Sequence, residues 1–251
     1  MKKYFWLLLI LTASPGLLFG GSPMAKRMIS KGDKQHDKRE SAKAVSKSES
    51  YYQKALAIEP SSSEAMWKLA RLYYWKGEHT DGDDAKMEIF KKGIRYAQEA
   101  VKLKGDCMEC RFWLAVSYGS YGTAKGVMAS LDLVPHVKKE LKILLAKKPA
   151  FEYGGPHRVM GRLYHKLPGF KGGDNTKAIE HYRKAIELGP QNIMNHRFLA
   201  EVLIDEGQKA EAEQLLRKVE STPEADIPAA ILPNMREEKK QATTLLKKHF
   251  N

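Results

Sequence analysis

The sequence predicts an all-α protein, and three observations support this fold class. Apolar residues recur three or four positions apart along most of the chain, as they do on one face of an α-helix. Alternating apolar and polar stretches and runs of β-branched residues, which are typical of strands, are rare. Similar helix endings also return along the chain, and each is followed by a new helix start. The chain has 251 residues, which is enough to bury a core.

The composition narrows the class of protein further. Hydrophobic residues make up 43% of the chain, which is too many for wholesale disorder, and two cysteines are too few for a small scaffold held by disulfides. The formal net charge is +13. This charge is compatible with nucleic acid, an anionic lipid surface or an acidic protein as partner, and composition alone leaves the choice open.

The N-terminus predicts an export signal. Two lysines precede an apolar run at residues 4–11, and small or turn-forming residues follow up to Ser22. The Pro15-Gly16 pair interrupts the apolar stretch, which favours a cleaved signal peptide over residues 1–22 rather than an uncleaved membrane anchor. We therefore expect an exported protein, periplasmic or secreted, for which nucleic acid is a poor candidate partner. The alternative is a chain that its N-terminal segment anchors in a membrane.

The rest of the chain divides into a lead, a repeat region and a final helix. Residues 23–45 are basic and polar, which fits a flexible lead or a solvated first helix. From residue 46 to 223, helix starts align on a large residue followed by a small one, because a small residue lets two helices approach closely. The small residues at these starts are Ala70, Ala115, Gly161 and Ala200.

These anchors resemble the tetratricopeptide repeat, a helix-turn-helix unit of about 34 residues. The last unit, at Leu199 to Leu216, fits the spacing without gaps. The earlier units are longer, and the extra residues fall mostly at 78–84, 121–133 and 166–176. The resemblance implies a right-handed superhelical solenoid of about five helix pairs with inserted loops. Residues 224–251 then form a C-terminal capping helix, since terminal repeats need a polar outer face.

The segment from Gly154 to Pro190 also resembles two more specific families. One is the T-component associated with periplasmic TRAP transporters, which implies an exported helical-repeat subunit that assembles with itself and with a solute-binding subunit. The other is the regulator of microtubule dynamics family, which implies an adaptor of the tetratricopeptide type. The chain lacks the lipidated cysteine that is expected in the T-component.

Cys107 and Cys110 are spaced as in a redox motif. A thioredoxin-like site needs a strand that leads into the helix with the thiols, whereas here a predicted helix ends at Gly105 just before the pair. Oxidising conditions outside the cytosol favour a short structural disulfide, with two buried thiols as the alternative. A zinc site needs further ligands at metal-binding spacing, which the sequence does not offer. We expect a non-catalytic protein without metal or cofactor.

The candidate binding site is the concave groove. In the tetratricopeptide family the first helix of each pair lines this groove, and the matching positions carry aromatic and basic side chains: Trp67, Arg71, Tyr74, Trp75, Phe112, Arg158, Arg162, His165 and Arg197. Arg158 and Arg162 are four residues apart on one helix face, so with Arg197 they can bind a carboxylate. The alternative is that these arginines pair with carboxylates of the chain, such as Glu201, while the aromatic residues pack between repeats.

We therefore expect an exported scaffold that binds a protein or peptide segment, acidic or carrying a carboxylate, in the groove. Charge reversal at Arg158 and Arg162 is then expected to abolish capture of the partner and to leave thermal unfolding nearly unchanged. The second hypothesis is a periplasmic transport accessory subunit. Such a subunit holds a small hydrophobic or acidic solute, alone or in a homo-oligomer, or assembles with a solute-binding protein.

Overall fold

The computed structural model of the chain describes residues 21–250. In these residues the regular structure consists of eleven α-helices and three short 3-10 segments, without strands, which confirms the predicted all-α class. The predicted signal segment lies outside the described residues, except for Gly21 and Ser22. None of the helices in this part of the chain is both long and apolar enough to cross a membrane.

The helices form five consecutive pairs followed by a single helix. The first helices of the pairs are α1 (Pro23–His36), α3 (Ser63–Glu78), α5 (Met108–Lys125), α7 (Phe151–Lys166) and α9 (Ile193–Asp205). The second helices are α2 (Ala42–Ile58), α4 (Asp83–Leu103), α6 (Val134–Lys147), α8 (Asn175–Leu188) and α10 (Lys209–Ser221). The last helix is α11 (Leu232–Phe250). Each pair packs on the next, so the chain is a helical solenoid.

The packed array begins earlier than the sequence analysis placed it. Residues 23–45 are not a separate lead, because they contain α1 and the start of α2. Ala25, Ile29 and Gly32 lie three or four residues apart on α1 and are buried. The ring of Tyr52 on α2 occupies the space that a side chain on Gly32 would need. Small residues supply much of this helix face, so α1 shows few of the large apolar anchors that usually reveal a helix.

The inserted segments fall at the predicted places and take different forms. The first is a short loop at residues 79–82, and the extra length of its repeat lies in α4, which has 21 residues. The other two contain 3-10 turns over Met128–Leu133 and Gly169–Lys171. Asp174 then caps α8, since its carboxylate accepts a hydrogen bond of 3.0 Å from the backbone N–H of Lys177.

The close approach of α7 and α8 depends on a small residue at the predicted position. Gly161 on α7 faces the buried ring of Tyr182 on α8, and an added Cβ would lie 2.8 Å from the ring atom Cε1. We expect Gly161→Ala to lower the free energy of unfolding by about 1–2 kcal/mol, because the steric cost exceeds the gain in helix propensity. Urea denaturation measures the change.

Gly119→Ala is the matched control for this substitution. A Cβ added to Gly119 on α5 meets no atom within 4 Å beyond its own helix, so this variant is expected to gain about 0.5–1 kcal/mol of stability. If both glycine variants change stability in the same direction and by the same amount, the contact with Tyr182 does not set the helix spacing.

The last helix does more than cap the final pair. Met235 and Leu246 on α11 are buried in the hydrophobic cluster that α9 and α10 share. The start of α11 reaches the first pair, where Arg39 in the α1–α2 loop donates hydrogen bonds to the carbonyl of Ala230 and to Oδ1 of Asn234. These bonds join residues 191 and 195 positions apart. The two ends of the solenoid therefore meet across its concave side.

Candidate functional site

The concave side of the solenoid contains a cavity of about 400 Å³, which we call the concave cavity. Helices α3, α5, α7 and α9 supply much of its wall, and α11 supplies part of the remainder. Five of the nine predicted groove residues line it: Tyr74, Phe112, Arg158, Arg162 and Arg197. The residues from α11 are Asn234, Met235, Glu238 and Gln241. The chain's own last helix therefore covers part of the predicted groove.

Three other predicted residues on α3, Trp67, Arg71 and Trp75, do not line the concave cavity. Arg71 pairs with Asp33 of α1 at 3.4 Å, and its guanidinium lies 5.3 Å from the centroid of the Trp67 ring. Trp75 is buried beneath the guanidinium of Arg39, 5.0 Å from the ring centroid. These aromatic and basic side chains pack between repeats, which is the alternative that the sequence analysis left open.

His165, the ninth predicted residue, also lies outside the lining of the cavity. Its Nε2 is 2.7 Å from Oδ2 of Asp205 on α9. Burial lowers the pKa of His165 below its ordinary value, although the hydrogen bond to Asp205 acts in the opposite direction. The imidazole is therefore neutral at pH 7 and donates a hydrogen bond to the carboxylate rather than forming an ion pair.

Two of the three arginines that were predicted to bind a partner's carboxylate already bind carboxylates of the chain. Arg162 donates to Oε2 of Glu201 at 2.5 Å. Arg197, which is buried, donates to both Glu201 and Glu238. Burial alone would raise the pKa of Glu201, but Arg162 and Arg197 lower it, so the carboxylate stays charged. The charge of this pair of arginines is thus largely neutralised within the protein.

Arg158 is buried and supports the first turn of α7. The backbone adopts positive φ angles of 48° at Glu152 and 58° at Tyr153, a conformation that costs about 1–2 kcal/mol for each residue other than glycine. Arg158 donates to Oδ1 of Asn195 at 2.9 Å, and Asn195 donates to the carbonyl of Tyr153 at 3.0 Å. The structure does not support the expectation that Arg158→Glu with Arg162→Glu leaves unfolding unchanged, because Arg158 is part of this buried network.

Two of the polar groups that line the concave cavity are hydrogen-bond donors without a partner in the described residues. Lys166 lies at the exposed end of α7, lines the cavity and forms no ion pair with the described residues. The Nε1–H of Trp113 is buried in the cavity wall without a hydrogen-bond acceptor. An unpaired ammonium and an unsatisfied N–H both gain from an acceptor, so the cavity suits a ligand with a carboxylate or carbonyl oxygen.

Cys107 and Cys110 form a disulfide at the start of α5. Cys107 is the N-cap residue of α5, and its Sγ accepts a hydrogen bond of 3.1 Å from the backbone N–H of Cys110. Both residues are buried in a small cluster with Met66 and Ala100 of neighbouring helices. Neither lines the concave cavity, so the disulfide is placed to stabilise the helix start and the packing around it.

Lys166, Trp113 and Glu238 are among the residues of this site that were not predicted from the sequence. Lys166 follows Arg162 by four positions, so the spacing of one helix face was sufficient to find it. Trp113 adjoins Phe112, and helical spacing alone did not show that both reach the cavity wall. Glu238 lies in α11, and the repeat pattern contained no signal that this helix turns back over the concave side.

A family model described as regulator of microtubule dynamics protein 1-3 matches residues 28–167, which is more than half of the chain. The chain belongs to this family. A tetratricopeptide repeat model matches residues 170–230. The resemblance to the regulator of microtubule dynamics family and the resemblance to the tetratricopeptide repeat are both confirmed.

This member of the regulator of microtubule dynamics family shares its fold with solved structures. TTC0263, a thermophilic tetratricopeptide repeat protein of Thermus thermophilus, gives a TM-score of 0.61 at 16% identity, over 88% of this chain and 99% of that one. PilF of Pseudomonas aeruginosa gives 0.52 at 14% identity, over 90% and 93%. The MamA protein of strain RS-1, a double mutant, gives 0.50 at 12% identity, over 88% and 99%. These identities show the fold alone.

No curated protein matches the chain. The tetratricopeptide repeats of this family member indicate a protein-interaction scaffold, because such repeats build an extended concave binding surface.

Proposed function

We propose that the chain is an exported, non-catalytic scaffold that binds a short protein segment with a carboxylate in the concave cavity. The observation that carries this proposal is the chemistry of the cavity. Its walls include the aromatic rings of Tyr74, Phe112 and Trp113, and two of its polar groups, the Nε1–H of Trp113 and the ammonium of Lys166, are donors without a partner in the described residues. A largely apolar concave site with a few convergent polar groups is the usual form of a ligand site.

The size of the cavity favours a short segment over a whole partner helix. A volume of about 400 Å³ lies near the lower end of the range of ligand pockets, which is about 300–1,000 Å³. α11 already lies on part of the concave side, where its Met235 and the preceding Ile231 are buried. A long helix in the groove would have to displace α11, whereas one or two side chains of a segment can enter the existing cavity.

Lys166 is the group that we assign to the partner's carboxylate. The arginines of α7 and α9 are occupied by internal partners, while Lys166 forms no ion pair with the described residues. The formal net charge of +13 for the chain also favours the approach of an acidic segment.

We expect Lys166→Glu to weaken the binding of short acidic peptides at least tenfold, because a repulsive charge replaces an attractive one at the cavity rim. The probe is a fluorescein-labelled pool of short peptides that combine aromatic residues with Asp or Glu, followed by fluorescence anisotropy. Lys166 is exposed, so thermal unfolding of this variant is expected to stay close to that of the wild type.

Lys209→Glu is the matched control, because it makes the same charge change on α10, away from the cavity lining. It is expected to bind the peptide pool almost as the wild type does. Equal loss of binding in both variants would mean that net charge, and not the cavity, drives the interaction. Unchanged binding in Lys166→Glu would reject the assignment of this residue.

The cavity volume also favours a second candidate function, a periplasmic transport accessory subunit that holds a small anionic solute. Native mass spectrometry of the exported protein separates the two functions. A stoichiometric small molecule that is absent from Lys166→Glu would favour the accessory subunit. A ligand-free protein that binds the acidic peptides would favour the scaffold.

A further inference from the structure

The first helix pair carries a row of basic side chains that the proposed function does not use. On α1 and just after it, the row consists of Arg27, Lys31, Lys34 and Lys38, which follow one another at spacings of three or four residues. These spacings place Arg27, Lys31 and Lys34 on one face of α1, and Lys38 follows in the turn after the helix. The buried residues of α1 occupy the opposite face, so the basic row points away from the core of the pair.

A second row on α2 joins the first one. It consists of Lys43, Lys47 and Lys54, which point away from the core of the pair together with the first row. The rows meet at Tyr51, because the Nζ atoms of Lys31 and Lys54 each lie 5.7 Å from the centroid of its ring. The seven cationic side chains therefore form one surface around an aromatic ring, which we call the N-terminal basic surface.

Acidic side chains of the chain do not neutralise this surface. None of its seven cations forms an ion pair with the described residues, and residues 1–20 contain no Asp or Glu. Most acidic residues of the same helix pair bind other groups. Asp33 pairs with Lys68 and Arg71, Glu49 pairs with Lys76, and Glu40 pairs with Arg236. Glu59 accepts a hydrogen bond from the backbone N–H of Ser22. Asp37 is the remaining acid of the pair.

We propose that the N-terminal basic surface binds the surface of an anionic lipid bilayer. Clusters of four to eight Lys and Arg side chains beside a membrane-inserting segment attract anionic lipids. The apolar run at residues 4–11 ends 16 positions before Arg27, so in the membrane-anchored alternative, in which this run is not cleaved, the surface lies near the bilayer. Met24, at the start of α1, adds an apolar side chain that is 51% exposed.

The shape of the surface fits a bilayer better than a small anion. None of its seven cations lines the concave cavity or the second cavity, which lies between α2, α3 and α11. The cations are instead spread over two helices, as a wide sheet of headgroups requires. The surface also belongs to the terminal repeat, where no preceding repeat of the described chain covers it.

Energy transfer from the full-length chain to labelled lipid tests this proposal. A donor dye is attached to Ser50→Cys, which lies between Lys47 and Lys54 on α2, and the acceptor is carried by lipid headgroups. Vesicles of phosphatidylcholine alone are compared with vesicles of equal parts phosphatidylcholine and phosphatidylglycerol. We expect several-fold greater transfer in the anionic vesicles and loss of this difference at high salt.

Charge reversal tests the named residues. Lys31→Glu combined with Lys47→Glu and Lys54→Glu is expected to reduce the preference for anionic vesicles at least tenfold, since each cation near such a surface contributes about a fivefold factor. The matched control is Lys209→Glu combined with Lys247→Glu and Lys248→Glu, which has the same net charge and should behave as the wild type. Circular dichroism verifies that both variants are folded.

Two results would overturn the proposal. One is equal energy transfer from Ser50→Cys in neutral and anionic vesicles. The other is a protein that does not respond to vesicles but binds poly-glutamate, and loses that binding in the triple variant Lys31→Glu, Lys47→Glu and Lys54→Glu. This result would assign the surface to an acidic protein. The apolar N-terminal segment is present in every sample, so it contributes equally to all of these comparisons.

Discussion

Arg197→Met is expected to lower the free energy of unfolding by about 3–5 kcal/mol, because it leaves a buried carboxylate without its partner. Arg197 and Glu238 are 4% and 5% exposed, and the guanidinium of Arg197 donates to Glu238 across the contact between α9 and α11. No other group of the described residues donates a hydrogen bond to Glu238. Urea denaturation at pH 7 measures the loss.

The double variant Arg197→Met with Glu238→Met separates charge from packing. It places no buried charge at the contact of α9 with α11, so most of the lost stability is expected to return. Glu201 keeps Arg162 as its partner in both variants. If the double variant is as unstable as Arg197→Met, the packing of Arg197 on the Phe198 ring, 4.4 Å from its centroid, stabilises this contact instead of the ion pair.

The repeat was predictable because its determinants are local. Gly161 and Tyr182 occupy fixed positions within one helix pair, and the same small and large positions return in the neighbouring pairs. The path of α11 was not predictable in this way. The hydrogen bond between Arg39 and Asn234 spans 195 residues and joins two segments outside the repeat pattern, so spacing within a helix carries no information about it.

The position of the candidate site was predictable from the sequence, whereas the internal partners of its arginines were not. The resemblance to the tetratricopeptide repeat placed Arg158, Arg162 and Arg197 on the concave side, and the structure shows that all three line the cavity. Spacing does not show which acceptor is nearest in space. Glu201 and Glu238 bind Arg162 and Arg197. Arg158 donates to the backbone of a turn that only the three-dimensional packing reveals.

Lowering the pH from 7 to 4 is expected to destabilise the fold, and His196 alone contributes about 3 kcal/mol to this loss. His196 on α9 is 1% exposed. Burial and, to a smaller extent, Lys218 lower its pKa to about 4, whereas the ordinary value is 6.5. Between these two pH values the unfolded chain binds a proton that the folded chain does not. Stability therefore rises with pH from about 4 to 6.5 and is fully present above that range.

His196→Gln isolates this contribution, because glutamine keeps a polar side chain of similar size and does not titrate. Both proteins are unfolded thermally at several pH values from 4 to 7. The stability lost between pH 7 and pH 4 is expected to be about 3 kcal/mol smaller in the variant than in the wild type. His157, whose pKa burial and the neighbouring His181 lower to about 4, titrates in the same window in both proteins. The difference between the two curves therefore reports His196 alone, and parallel curves would show that burial of this imidazole does not control the acid sensitivity.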